Sequence, residues 1–235
     1  MHAVLHLFFS PQAFRQALPD VWEGFKVNLQ LMLVAEALVL VLALALAVVR
    51  GLPGRAAAPL RALAVKYTDF FRGVPLILMA LLISLGLPGL QIHPISYQST
   101  FVYGVAALTL VYTAYVGEVY RAGIESVHPS QRMAARSLGL TYFQALRYVV
   151  VPQAVRRVIP PLLNDFIGLQ KDTAIITVAG VIEVLAQVQN FASTYYNFTG
   201  FIVAAVFFIF MTIPLARFTD HLIAERERRE RALAM

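Results

Sequence analysis

Residues Arg132–Pro152 read RMAARSLGLTYFQALRYVVVP, a polar, arginine-bearing stretch set between long apolar segments. Its punctuation predicts two short helices. Pro129 and Ser130 offer a start, with Ser130 as the expected N-cap, and Gly139 stands where a helix stops in the left-handed conformation. Thr141 then opens a second helix, and Gln144 three residues later completes a capping box in which each side chain satisfies the other's backbone N–H. Pro152 closes this unit or starts the next. A helix, a glycine turn and a second helix, about residues 129–152, form a hydrophilic insert that suits the grip of a soluble partner.

The composition around the insert is that of a membrane protein. Of 235 residues, 59% are hydrophobic and 14% charged, with a mean hydropathy of +0.70. Soluble domains are nearer roughly 45–50% apolar and about 25% charged. Apolar runs of about 20 residues match the length that crosses roughly 30 Å of hydrocarbon as helix, and the short alternating segments of a β-barrel are missing. With no cysteine there is no disulfide framework and no thiolate metal site. The N-terminal MHAVLHLFFSPQAF lacks the basic start and cleavage site of a secretory signal, and reads as an interfacial helix of the mature chain. The net charge of +6 follows membrane topology rather than a nucleic-acid partner.

The expected fold is therefore an all-α integral membrane protein, a single transmembrane domain over 1–235. About five spans are placed near 27–49, 67–87, 101–120, 160–185 and 201–218. The second bends near Pro75, because the purely apolar piece after it is too short to cross alone. The loop after the first span, the insert and the C-terminal tail carry arginine, whereas the segments 88–100 and 187–200, read as loops, carry neither lysine nor arginine. The positive-inside rule puts the former in the cytoplasm, so the N-terminus lies outside and the C-terminus inside.

Chemistry at the nucleotide or metal level is not expected. There is no phosphate-binding G-x-x-x-x-G-K-[ST] loop, and His2, His6, His93, His128 and His221 lie in termini or loops. Ionisable residues within spans carry more information, since a charge at the bilayer centre costs at least about 2.5–3.5 kcal/mol. Asp165 and Asp172 share one helical face with Gly168 between them, and Thr173 and Thr177 lie on an adjacent stripe, whereas Lys171 points elsewhere. This polar face either lines a substrate path or pairs with other helices to fix packing. Glu118 reaches the same cavity or pairs with Arg121 three residues on. Glu36 is expected to meet a helix or a second subunit, or to lie neutral, and Asp69 and Arg72, one turn apart, either satisfy each other near the interface or line the path.

Three segments resemble the permease subunits of bacterial ABC importers, of the polar amino-acid uptake family typified by histidine and glutamine permeases. The insert is similar to that family's cytoplasmic loop, with Ala134, Ala135, Gly139 and Pro152 at matching positions. Met133 stands where the family has Glu, and Val149 and Val151 where it has Ile and Leu. The segment YTDFFRGVPLIL, Tyr67 to Leu78, resembles the signature ahead of the second span, and LQKDTAI, Leu169 to Ile175, a Leu-Lys-Asp-Thr-Ser-Leu segment. With GEVYRAGIESV, the resemblance covers nearly everything beyond Val21.

The resemblance implies a permease in the bacterial inner membrane whose insert forms coupling helices on a cytoplasmic ATP-binding subunit. Two permeases, identical or sister chains, would pair with two ATPases, and an extracytoplasmic binding protein would deliver the substrate. Ala134, Ala135, Gly139 and Phe143 fall at the ATPase contact. Asp172, Thr173, Asp165, Lys171 and Glu118 are the substrate-path candidates. No cofactor, catalytic residue or metal is implied, and lipid is the surrounding partner. Paired carboxylates suit a cationic side chain or an α-amino group, and Lys171 an α-carboxylate. The rival reading is an autonomous secondary transporter or channel, with Asp165, Lys171 and Asp172 as an ion or proton relay.

Overall fold

The computed structural model describes residues 2–52 and 54–234, apart from the side chains of 2, 3, 142, 143, 226, 227 and 229–234. The described residues form helices and turns with no strand. A short helix α1 (His2–Phe8) precedes α2 (Pro11–Arg50), which starts at Ser10, whose Oγ accepts from the Ala13 N–H, and at a proline that needs no partner for its nitrogen. The sequence reading places the first span at 27–49, but the helix runs 40 residues, straight past Pro19. A buried stripe holds it: Ala13, Ala17, Val21, Phe25, Asn28, Leu31, Ala35, Val39, Ala43 and Ala47 recur every three or four residues along one face. Small residues let neighbouring backbones approach, which supplies van der Waals contact where lipid offers no hydrophobic gradient.

The second span is broken rather than kinked. Helix α3 (Ala58–Gly73) ends where Val74 turns extended ahead of Pro75, as the residue before a proline is pushed to do. The next helical run, α4 (Leu76–Leu81), a π-turn and α5 (Leu87–Gly89), leaves at 104° to it. Helix α6 (Thr100–Glu125) is the central element, packed against α2, α3, α4 and α9. Among the described residues three helices are long and apolar enough to cross a membrane, α2, α6 and α11, and up to five spans result if each bent pair counts as one.

In the insert, α7 (Pro129–Ser137) is capped by His128, not Ser130: the His128 ring nitrogen accepts from the Ser130 N–H, and Pro129 takes the first helical position. Gly139 has φ +85°, and the Leu140 N–H reaches back to the Ala135 carbonyl, the six-to-one bond of a Schellman stop. The capping box forms, Thr141 N–H to Gln144 Oε1 at 2.8 Å and Gln144 N–H to Thr141 Oγ1 at 3.3 Å. Helix α8 (Tyr142–Ala145) passes through a π-turn at Leu146–Val150 into α9 (Val151–Asp172). Pro152 thus lies in the first turn of α9 and closes nothing; its missing N–H accounts for the local loosening into a π-turn.

Beyond α9 the chain tightens into a 3-10 turn, Thr173–Ala179, and ends it at Gly180. It then bends by 56° into α10 (Val184–Tyr195), so most of the stretch read as a loop at 187–200 is helical. Helix α11 (Thr199–Ala234) carries the last apolar segment continuously into the charged tail.

Candidate functional site

Residues of α3, α4, α6 and α9 line an open cavity of about 550 Å³. Its lining includes Asp165, Gly168 and Asp172 from α9, Tyr112 and Tyr115 from α6, and Arg72 at the end of α3 beside the Val74–Pro75 break. The heptad spacing of the two aspartates does bring both to one wall. Tyr112 Oη donates to Asp172 Oδ2 at 2.8 Å. Asp165 Oδ2 is buried and receives no hydrogen bond from the described residues. Glu36, on α2, lies close enough to Asp165 for the two carboxylates to feel each other's charge.

A second compartment of about 470 Å³ lies toward the insert end of α6, lined by Glu118, Ser126, Arg157 and Pro161 and sharing Arg72, Tyr115 and Asp165 with the first. Those three residues line both compartments. The Arg72 guanidinium sits 5.7 Å from the centre of the Tyr115 ring. Glu118 is more heavily engaged than its spacing to Arg121 suggests. It pairs with Arg121 at 2.7 Å, with Arg50 of α2, and more loosely with Arg72 at 4.0 Å. The expected Asp69–Arg72 ion pair does not form: the Arg72 guanidinium turns toward Glu118 and the Tyr115 ring of α6, and Asp69 is exposed.

Two other candidates sit apart from the cavity. Lys171 is exposed and does not line it. Thr173 is 0% exposed and belongs to a buried polar node that sequence reasoning missed. Asn28 of α2 donates through Nδ2 to Thr173 Oγ1 at 3.0 Å and to Glu183 Oε2 at 2.9 Å, and accepts the Val184 N–H on Oδ1 at 3.0 Å. Glu183, also 0% exposed, caps α10 by accepting the Leu185 and Ala186 N–H groups, each at 3.0 Å. The signal was a lone glutamate just ahead of an apolar helix, in a segment where an unpartnered charge is costly.

The insert exposes two large apolar side chains amid polar ones. Leu138 is 84% exposed and Met133 61%, with Ala134 and Gly139 also exposed beside them. Ala135 faces inward and is buried within the chain itself. The side chain of Phe143 lies outside the described residues. Among the described residues no group of His, Cys, Asp or Glu is arranged to hold a metal ion.

This arrangement, bent membrane helices around an acid-lined cavity with a helix-turn-helix insert at one end, defines a membrane transport component. The chain belongs to the family described as the inner membrane component of binding-protein-dependent transport systems, which matches residues 41–228. It is 36% identical to the probable glutamine ABC transporter permease protein GlnM of Bacillus subtilis over 171 residues, 72% of this chain and 77% of that protein. To the arginine transport system permease protein ArtQ of the same organism it is 30% identical over 202 residues, 86% and 89% of the two chains. A solved structure of an amino acid ABC transporter with histidines superposes with a TM-score of 0.81 at 32% identity, covering 92% of this chain and 97% of that one. The methionine ABC transporter MetNI in an inward-facing form shares the fold, with a TM-score of 0.68, 16% identity and coverage of 92% and 99%.

Proposed function

We propose that this chain is the transmembrane permease subunit of an ABC importer that carries polar amino acids across the bacterial inner membrane, N-terminus outside and C-terminus in the cytoplasm. The observation that carries the reading is the cavity walled by Asp165 and Asp172 on the very helix that begins in the insert. The relatives' transport of amino acids supports the substrate class, and the arginine-bearing segments support the orientation. The chain hydrolyses nothing. Two cytoplasmic ATPase subunits drive two permeases, each gripped at the exposed surface formed by Met133, Ala134, Leu138 and Gly139. An extracytoplasmic binding protein supplies the substrate.

Asp172, Asp165 and Glu118 mark the path from one compartment to the next. Thr173 acts on it indirectly, by fixing the end of α9, and Ala135 supports the insert from inside rather than touching the ATPase. A self-sufficient ion relay through Asp165, Lys171 and Asp172 gains no support, because Lys171 stands outside the cavity. ATP-driven approach of the ATPases would shift the equilibrium between inward-open and outward-open permease pairs, the difference in binding free energy between the states doing the work.

Co-reconstitution of the chain with its ATPase and binding protein in liposomes tests this. Gly139→Pro fixes φ near −65° where +85° is required and deletes the N–H that bonds Arg136, so the insert loses its turn. Substrate-stimulated ATP hydrolysis should disappear in the variant while membrane insertion persists. Transport by the chain without any ATPase would overturn the proposal.

A further inference from the structure

A separate cavity of about 420 Å³ lies in the corner where α1 meets α2, against the start of α11. Phe8, Phe9, Phe14 and Arg15 line it from one side, and Thr199 and Ile202 from the other. Hydrogen bonds build this corner. The Phe198 N–H donates to the Leu7 carbonyl and Asn197 Nδ2 to the His6 carbonyl, each at 2.9 Å, and the Ser10 N–H donates to Thr199 Oγ1 at 3.2 Å. The Phe8 and Phe198 rings stack at 5.5 Å. Helix α11 fixes the depth. Thr199 opens it, and Arg217, the first charged residue along it, comes about 27 Å later, close to the thickness of the hydrocarbon core. The cavity therefore opens where hydrocarbon gives way to headgroups, and Tyr195 and Tyr196 are exposed just ahead of it, as in the aromatic belt of a membrane surface.

Its lining is aromatic and apolar around one cation. Arg15 is exposed, and no hydrogen bond or ion pair joins it to another described residue. No carboxylate lines the cavity. Asp20, the next acidic residue along α2, is five positions on and so about 140° around the helix, and Glu23 is paired with Lys26 at 2.7 Å. From the cavity, Phe14, Leu18 and Trp22 continue as an exposed i, i+4 row, about 12 Å along α2 in the direction of the bilayer interior. Trp22 ends the row against Phe207 of α11, ring centres 5.7 Å apart.

We propose that this corner binds an anionic glycerophospholipid, its phosphate on the Arg15 guanidinium, its glycerol end in the cavity and one acyl chain along the row of Phe14, Leu18 and Trp22. The planar guanidinium matches two phosphate oxygens at once. With no carboxylate in the lining to receive an ammonium or choline head, an isolated positive charge at headgroup level favours a lipid of net negative charge over a zwitterionic one. The bound lipid covers the aromatic rings that the corner leaves exposed and joins this end of α2 to the start of α11.

The chain's one tryptophan, Trp22, reports the acyl chain directly. The full chain is reconstituted in phosphatidylcholine vesicles, and its fluorescence is titrated with phosphatidylglycerol brominated on its acyl chains, with brominated phosphatidylcholine as the reference. Brominated phosphatidylglycerol should half-quench Trp22 at about a fivefold lower mole fraction, the scale of one cation at a membrane surface. Arg15→Gln should move the phosphatidylglycerol curve onto that of phosphatidylcholine, itself unchanged, and Arg15→Lys should keep part of the separation. Lys26→Gln, a cation one turn from the tryptophan but already paired with Glu23, should keep all of it. Coincident curves in the parent would overturn the proposal. A separation that survives Arg15→Gln, or that disappears in Lys26→Gln, would overturn it as well, assigning the preference to charge elsewhere on the surface. Recovery of fluorescence on adding inorganic phosphate would show a site for the free anion and not for the lipid.

Discussion

Glu118 shows how one carboxylate ties three helices together. Arg50 arrives from α2, Arg72 from α3 and Arg121 from its own helix one turn on. The Arg50 and Glu118 side chains are 16% and 18% exposed, so the pair is only weakly screened and its loss would leave guanidinium groups crowded without a counter-ion. Glu118→Gln should therefore destabilise the protein by about 1–3 kcal/mol, less than for a fully buried pair. This reads out as a lower unfolding temperature in detergent, and an unchanged temperature would mean that Arg50 finds another partner. At this scale the sequence was half legible. It showed that Glu118 had Arg121 in reach, since i,i+3 spacing is local. It was silent on Arg50 and Arg72, whose approach depends on tertiary geometry, and it paired Arg72 with Asp69 on i,i+3 spacing alone, where the tertiary partners Glu118 and Tyr115 win.

Among the elements, the join of α2 to α10 depends on Asn28, Glu183 and Gly24. A Cβ on Gly24 would fall 2.7 Å from the Val184 Cα and 2.8 Å from its nitrogen, backbone atoms that cannot yield as a side chain would, so the start of α10 lies directly against α2. Asn28 then satisfies Val184 N–H, Glu183 and Thr173 together. Asn28→Ala removes one of the three donors on the buried Glu183 carboxylate and strands the Val184 N–H, and should cost about 1–3 kcal/mol. Hydrogen exchange in α10 should rise well above that of α6; equal protection in variant and parent would show the node to be redundant. Local grammar made the insert's glycine stop and capping box readable, because both are set by residues within four positions of each other. The cap at His128 was not, since a ring nitrogen substitutes for the usual hydroxyl. Nor were the start of α2, whose Asp20, Glu23 and Lys26 mask a continuous helix, or α10, whose polar residues read as a loop until α2 and α11 are packed beside it.

On the scale of the whole molecule, the insert and the cavity are two ends of one mechanical part. From Tyr142 the chain continues through the Leu146–Val150 π-turn and α9 to Asp172 with no intervening loop. An ATPase that moves the insert therefore moves the wall that carries Asp165 and Asp172, without needing a chain of side-chain contacts to relay the motion. On the proposed docking of the ATPase against the exposed Leu138 and Met133, Leu138→Glu should abolish co-purification of the ATPase while the unfolding temperature stays that of the parent, because that side chain is 84% exposed. The lever itself is tested separately. Tyr148 is exposed and Val149 half-buried in the π-turn, so replacing both by glycine softens the join at a cost of about 1 kcal/mol each with little loss of packing. The ATPase should still co-purify with this double variant and hydrolyse ATP, but substrate uptake per ATP should fall several-fold as motion dissipates in the turn. Uptake per ATP equal to the parent's would mean that force reaches the cavity by another route, through the contacts of α6 with α9, and the continuous helix would then be a scaffold rather than a lever.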